Sequence, residues 1–286
     1  MRINIKIISF VSLISWLLLN PAIGKSQFTF LPEGSYFKTI ILDPSASQLS
    51  GSLLGIHSKG DLEQKVYAPI NLGIRKMYFR WEDDLERGFE LGIEFAIHSQ
   101  FTVIDVGSNY LGGFQNADYR IAGVAHLVRR LHTYRFTIFH QSSHLGDDYI
   151  IRNQIVSPTS NVMNYEQIDV TRSTEIGNSR YYVGAGVNFS PNTVRERLAA
   201  QVGYFYSRPL TGNPELGFLA GTDIKIFQQN DFQPNFKLGV GLEFGRTKAK
   251  PLRLMLEYYN GHLPYSTLEY QKVQLFGAGL YFDTNI

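Results

Sequence analysis

Hydrophobic and polar residues alternate along most of the chain after residue 24. In the segment 235–245 every second residue is apolar, and the residues between them are Asn, Lys, Glu and Gly. The segments 179–189 and 89–97 show the same pattern. Because successive side chains of a strand point to opposite faces, each segment is predicted to be a strand with one apolar and one polar face.

The predicted strands are long. Further strands are predicted at 118–128, 131–142, 197–207, 216–227, 252–259 and 272–282. Many approach the roughly 9–11 residues of a tilted transmembrane strand, whereas soluble strands average about 5–6. No apolar run after residue 24 is long enough for a transmembrane helix, so a membrane protein of this sequence must be a barrel. We predict an all-β, antiparallel transmembrane β-barrel of about 12 strands in residues 67–286, with residues 25–66 holding the first strands, an N-terminal arm or a plug.

The first 24 residues have the features of a secretory signal peptide. Arg2 and Lys6 provide the positive start, and the apolar stretch 7–19 follows. Ala22 and Gly24 are small residues of the kind that a signal peptidase reads. Export of a barrel predicts that the mature protein lies in the cell outer membrane, with outer-membrane lipid as its partner.

Composition favours the barrel and excludes several other classes. Charged residues are 18% of the chain against a usual ~25%, and aromatic residues are 14%, which favours an apolar outer band with aromatic belts. A net charge of +2 without a basic run predicts no nucleic-acid partner. The chain has no cysteine, which excludes disulfides and thiolate metal sites. A secreted β-sandwich that binds glycan would show the same alternation with its apolar face inward, and it is the alternative fold.

The segment 140–149, His-Gln-Ser-Ser-His-Leu-Gly-Asp-Asp-Tyr, concentrates titratable and nucleophilic side chains. It resembles the pattern His-x-Ser-Ser-His-Leu-Gly-Asp-Glu of a family of bacterial envelope proteins of unknown function, with Asp148 in place of Glu. Other similar pieces are 116–120, 164–166, 180–186, 261–265 and the closing strand. The resemblance spans roughly residues 67–282. It implies an outer-membrane-type barrel of unassigned function and provides no catalytic residues.

A serine hydrolase of phospholipid or lipid A acyl esters is one function open to this segment. His140 and Ser142 share the parity of the apolar residues Phe136 and Ile138. Both are therefore predicted to face lipid, side by side on one face of a strand. There the imidazole can take the proton of the hydroxyl group.

The spacing of His140 and Ser142 is similar to the His-x-Ser pair of the outer-membrane phospholipase and of the lipid A deacylase. A third group must orient the imidazole, and the candidates are Glu166, Asn164 and Asp148. Two observations oppose this function. A bulge at the Ser–Ser pair would turn Ser142 to the other face. Counting strands back from a periplasmic C-terminus also places the turn at the periplasmic end, although the count between 148 and 172 is open by one.

A metal site and a structural role are the other two possibilities. His140, His144 and Asp147 offer nitrogen and carboxylate ligands for zinc or calcium. Alternatively, residues such as Ser143 and Asp148 bond the local backbone of a tight turn, while the His and Asp side chains pair with arginines in the lumen. The candidate lumen partners are Arg120, Arg152 and Arg180.

We therefore predict an integral outer-membrane barrel, without a cofactor, whose role is structural or that of a narrow passive channel. The alternative function is a lipid hydrolase that uses His140, Ser142 and Glu166. A soluble exported β-sandwich that binds glycan is a further alternative.

Overall fold

The computed structural model describes residues 27–57, 65–84, 87–105, 113–157, 163–190, 195–248 and 250–282. These residues form thirteen strands, one short helix and two 3₁₀ turns. The strands are β1 (Gln27–Phe30), β2 (Leu49–His57), β3 (Lys65–Asp84), β4 (Arg87–Asp105), β5 (Gly113–Arg129), β6 (His132–Leu145), β7 (Met163–Ile176), β8 (Ser179–Asn188), β9 (Leu198–Leu210), β10 (Asn213–Phe227), β11 (Asn235–Phe244), β12 (Leu252–His262) and β13 (Lys272–Phe282). The helix α1 is Asp147–Arg152, and the 3₁₀ turns are Gln228–Asn230 and Ser266–Leu268. The predicted signal peptide, residues 1–24, lies outside the described residues.

Strands β2 to β13 form one closed antiparallel ring. Each strand pairs with its neighbours in the sequence, and the ring closes where β13 pairs with β2. The short β1 pairs with β3 at Gln27↔Glu82, while β2 pairs with β3 at Ser50↔Asn71. The prediction of an antiparallel barrel of about 12 strands is confirmed, because the sheet is single and closed rather than divided into the two layers of a sandwich.

The alternation of the sequence gives the wall an apolar outer face and a polar inner face. On β11 the exposed side chains are Leu238, Val240, Leu242 and Phe244, whereas Lys237 and Glu243 are buried inside the barrel. The inner face of other strands carries buried polar residues, among them Glu90, Glu94, His98, His126 and Glu257. An apolar exterior around a polar interior is the arrangement of transmembrane barrels.

The two ends of the barrel differ in their connections. At one end, which we call the short-turn end, tight turns at 130–131 and 177–178 join β5 to β6 and β7 to β8. Strand β13 also ends there, because it begins after the 263–271 connection at the opposite end and crosses the wall. At the other end, the long-loop end, residues 146–162 connect β6 to β7 and residues 263–271 connect β12 to β13.

Strand β7 corrects the predicted position of the turn after residue 142. The strands predicted from the sequence include none between residues 142 and 179. With that set, β6 ends on the same side of the membrane as β13, and the prediction places that side in the periplasm. The structure has β7 at Met163–Ile176, and this additional strand reverses the direction of every strand before it. Strand β6 therefore ends at the long-loop end, and the connection that follows it contains α1 rather than being a short turn.

Residues 31–48 cross the interior of the barrel between β1 and β2, and we call them the lumenal segment. The Arg75 guanidinium of β3 donates to the carbonyl oxygen of Phe37 at 2.8 Å. On β10, the Lys225 ammonium lies 2.6 Å from the Asp43 carboxylate. Side chains from strands on different sides of the wall thus hold this segment inside the lumen. The region 25–66 accordingly contains both strands and an inserted segment.

An apolar cluster closes the lumen at the long-loop end. It joins α1 and the β12–β13 connection to the wall through Tyr149, Leu263, Tyr265, Leu268, Tyr67, Tyr259 and Leu275. Beneath it remains a cavity of about 30 Å³, enough for roughly one water molecule. The described part of the lumen therefore contains the lumenal segment and, at the long-loop end, this apolar cluster.

None of the helices in the described part of the chain is long and apolar enough to cross a membrane.

Candidate functional site

The sequence motif lies where β6 reaches the long-loop end, and its residues alternate between the two faces of the wall. The register of β5 and β6 is continuous from Arg129↔His132 to Asn116↔Leu145, without a bulge at the Ser–Ser pair. His140 and Ser142 therefore point outward like Ile138, which is half exposed. The alternation predicts this outward orientation, and the structure has it.

His140 and Glu166 lie directly opposite each other on β6 and β7. The His140 Nδ1 atom is 2.8 Å from Glu166 Oε1, and the two side chains are 45% and 38% exposed. An ionised carboxylate can only accept, so the imidazole donates from Nδ1. In the neutral ring the lone pair then lies on Nε2, which is the atom that a general base uses towards a serine.

Ser142 lies on the same face as His140, two residues further along β6. Its Oγ atom is 2.6 Å from Nε2 of His144. The His144 ring in turn packs edge-on against Tyr119, with ring centroids 5.9 Å apart. Three outward residues at alternate positions thus form a short polar row, in which the serine hydroxyl has an imidazole on either side.

The residues between them face the lumen and fix the backbone of β6 from behind. The Gln141 amide donates to Asp118 at 2.9 Å, and the Ser143 hydroxyl also bonds Asp118. Ser143 contacts Thr267 as well, whose backbone N–H donates to its Oγ at 3.2 Å. Both neighbours of Ser142 are therefore tied to one buried carboxylate, which holds the strand at this position.

The two aspartates of the motif belong to α1 rather than to the outward row. Asp148 accepts a hydrogen bond from the backbone N–H of Phe114 at 2.7 Å, and Asp147 is exposed in the first turn. Gly146 precedes them because the chain passes close to β5, where a Cβ atom would lie 2.3 Å from the carbonyl oxygen of Phe114. Asp148 thus anchors α1 to β5 and does not orient His140.

The predicted lumen arginines occupy three different places. Arg120 faces the lumen, stacks 3.6 Å from the Phe139 ring and lies 3.8 Å from Asp169. Arg180 donates to Ser173 at 2.7 Å and to carbonyl oxygens of the lumenal segment. Arg152 lies on α1 of the β6–β7 connection and not on the barrel wall.

The metal ligands predicted from the motif do not form a cluster. His140 pairs with Glu166, His144 contacts Ser142, and Asp147 is on α1. Within the described residues there is no group of three or more His, Asp or Glu side chains placed to hold a metal ion.

A trough on the outer wall leads away from His140 and Ser142, and its sides are two rows of outward side chains on β6, β5, β4 and β3. One row is Ser142, Tyr119, Ile97 and Leu72, and the other is His140, Ile121, Phe95 and Ile74. The floor is the backbone at Arg120, Ala96 and Gly73. The space between the two rows is about 600 Å³ and is open towards the outside along the wall.

A family model described as "Protein of unknown function (DUF1207)" matches residues 23–284 of the chain. The chain belongs to the DUF1207 family. No curated protein sequence matches it.

Solved structures similar to this DUF1207 protein include outer-membrane phospholipase A from Escherichia coli, with a TM-score of 0.55 and 11% identity over 84% of this chain and 94% of that one. The outer-membrane phospholipase dimer of Salmonella typhi with bound calcium is also similar, with a TM-score of 0.53 and 12% identity over 88% and 95% of the two chains. At this identity the similarity shows the fold alone, which is that of an outer-membrane β-barrel.

Sequence reasoning about this DUF1207 protein missed the trough and the support from Asp118. Tyr119 and Ile121 alternate as expected for outward residues of a wall strand, but this alternation does not give the register that aligns them with residues of the neighbouring strands. Asp118 is separated from Ser143 by 25 positions, and only the β5–β6 register brings them together.

Proposed function

We propose that the protein is a serine-type hydrolase of lipid acyl esters, with its active site on the outer wall of an outer-membrane barrel. The observation that carries the proposal is the bond between His140 Nδ1 and Glu166 Oε1 beside Ser142, all three on the apolar exterior. Nucleophile, base and orienting carboxylate are the three side chains of the serine-hydrolase triad.

The chemistry follows from these three side chains. Ser142 Oγ attacks the ester carbonyl carbon and forms a new C–O bond, while its proton passes to Nε2 of His140. The bond to the leaving alcohol then breaks, and the alcohol takes this proton. Water attacks the acyl-serine with His140 again as base, which releases the fatty acid. Glu166 keeps the imidazole in the reactive tautomer and stabilises its protonated form.

In the resting arrangement the Ser142 hydroxyl is bonded to His144 rather than to His140. Both imidazoles lie two residues from Ser142 on the same face of β6, so rotation of the serine side chain moves the hydroxyl group from one to the other. His140 is assigned as the base because it has a carboxylate partner. His144 is assigned to hold the hydroxyl when no substrate is bound.

Two further observations support a hydrolase over a channel. The lumenal segment crosses the described part of the lumen, and the apolar cluster covers it at the long-loop end. The similar barrels of Escherichia coli and Salmonella typhi are named as phospholipases. Their name supports a phospholipid as the proposed substrate class.

The proposal includes the location of the active site. A signal peptide in residues 1–24 exports the chain and is removed. Outer-membrane barrels have short periplasmic turns and longer extracellular loops, so the short-turn end, where β13 ends, faces the periplasm. The long-loop end then faces outward, which puts His140 and Ser142 in the outer leaflet. The segment 140–149 would be the signature of the DUF1207 family because it carries this site.

The experiment is release of fatty acid from phospholipid in detergent micelles by the purified, folded barrel. Ser142→Ala and His140→Ala are expected to abolish release, while His144→Ala retains it. Ser179→Ala and His132→Ala are the matched controls, because both residues lie in wall strands near the short-turn end. Release that survives Ser142→Ala overturns the proposal, and loss in His144→Ala with activity in His140→Ala reverses the assignment of the base.

A further inference from the structure

We infer that the trough on the outer wall is the binding site for the acyl chain of the lipid, with the carbonyl end between His140 and Ser142. The inference deepens the proposed function and rests on it for the direction in which the chain lies. The occupant follows from the place of the trough, because an apolar channel on the lipid-facing wall of a membrane barrel is in contact with acyl chains.

The register explains why this trough accepts a linear chain. Its two rows cross four neighbouring strands at matched positions, so the space between them is straight. Three strand spacings of about 4.8 Å give it a length of roughly 15 Å. Its lining is almost entirely apolar apart from the end at His140 and Ser142. A long hydrocarbon chain with one polar end matches that shape and polarity.

The slope of the trough matches the orientation of a lipid. Ser142 lies close to Leu145, where β6 ends at the long-loop end. At the far end of the same row, Leu72 lies well inside β3, which begins at Lys65 at that same end of the barrel. The trough therefore descends from the rim towards the middle of the wall, as an acyl chain descends from its headgroup into the bilayer.

The lumenal segment packs against the inner side of the wall beneath the far end of the trough. An added Cβ atom at Gly73 would lie 2.4 Å from the backbone nitrogen of Gln48, so the lumenal segment packs directly against this part of β3. Ser47 also donates to the carbonyl oxygen of Ile74 at 3.1 Å and to that of Phe95 at 3.0 Å. The lumenal segment thus supports the wall beneath the far end of the trough.

The test uses two long-chain fatty acids that carry a photoreactive diazirine, one at the terminal carbon and one next to the carboxylate. Labelled residues are mapped by mass spectrometry on the folded full-length barrel in phospholipid vesicles. The carboxylate-end probe is expected to label β5 and β6 near Tyr119 and His140, and the terminal probe β3 and β4 near Leu72 and Ile97. Each should exceed labelling of β11 and β12 several-fold. Equal labelling of the whole wall by both probes overturns the inference.

Two variants sharpen the test. Ile97→Trp fills the trough and is expected to reduce terminal-probe labelling several-fold and to shift hydrolysis towards short-chain esters. Leu254→Trp, an exposed position on β12, is the matched control and should change neither. Ordered labelling without any hydrolysis would refute the proposed function and keep the acyl site. Hydrolysis with unordered labelling would keep the function and refute the site.

Discussion

Glu94 is a buried charge of the barrel wall that is linked to the lumenal segment through Arg75. Its carboxylate is 2.5 Å from Arg75 and 2.6 Å from Arg135, and the Glu94 and Arg75 side chains are almost fully buried. Arg75 also holds the carbonyl oxygen of Phe37. Removing one partner of a buried ion pair costs about 3–5 kcal/mol, because the remaining charge has lost both water and its partner. Glu94→Gln leaves two guanidinium groups facing a neutral amide.

The assay is urea unfolding of the barrel in vesicles, followed by the loss of the compact band on an unheated detergent gel. With a urea dependence of about 1–3 kcal/mol per M, a loss of 3 kcal/mol moves the midpoint down by roughly 1–3 M. The matched control is Glu175→Gln, which removes the exposed pair with Lys38, a kind of pair worth about 0–1 kcal/mol. Equal shifts for the two variants would refute the argument that burial sets the cost.

Three more predictions follow from the fold and the site. Glu166→Gln should lower the rate of hydrolysis at least tenfold, because the imidazole of His140 loses its orienting carboxylate. The unfolding midpoint should not change, because the pair is exposed on the outer wall. An unchanged rate would contradict the orienting role. Gly73→Ala should destabilise the barrel by about 1–3 kcal/mol, since its Cβ would meet the backbone at Gln48, whereas Gly123→Ala, with only an ordinary contact 3.5 Å away, should not. The wild-type protein in planar bilayers should show no steady ion conductance, and pore-sized steps would contradict a filled lumen.

The wall strands could be predicted from the sequence wherever one face is apolar and the other polar. The segments 179–189 and 235–245 nearly coincide with β8 and β11. Strand β7 was missed because its apolar residues change from one face to the other within the strand. At its start Met163 and Tyr165 are buried inside while Asn164 and Glu166 point outward, whereas after Gln167 the outward residues Ile168 and Val170 are the apolar ones. This change of parity at the site interrupts the alternation that identifies a strand, and without β7 the direction of β6 was also wrong.

The lumenal segment could not be predicted for a different reason. Residues 31–48 have no period, and their partners come from strands that are far apart in the sequence. Arg180, for example, donates to the carbonyl oxygen of Thr39 from 141 positions away. A charged side chain on the inner face of a barrel is compatible with an open channel, a salt-bridge network or an inserted segment, and only the closed fold decides between them.

The position of the polar residues is the strongest argument that the outer wall has a chemical function. A charged side chain facing lipid costs about 2–4 kcal/mol at the middle of the bilayer and about 0–1 near its interfaces. Glu166 and His140 lie near the ends of their strands, where that cost is small. Their ion pair is exposed and separate from the ion pairs of the lumen, so it adds little to the stability of the barrel. The lumen already has its own ion pairs, and Asp118 fixes β6 from inside. The outer wall carries another polar group at His132, Thr174 and Arg172 near the short-turn end, but that group has no carboxylate and no serine. Ser142 beside an imidazole that is paired with a carboxylate is therefore the arrangement on which the proposed ester hydrolysis rests.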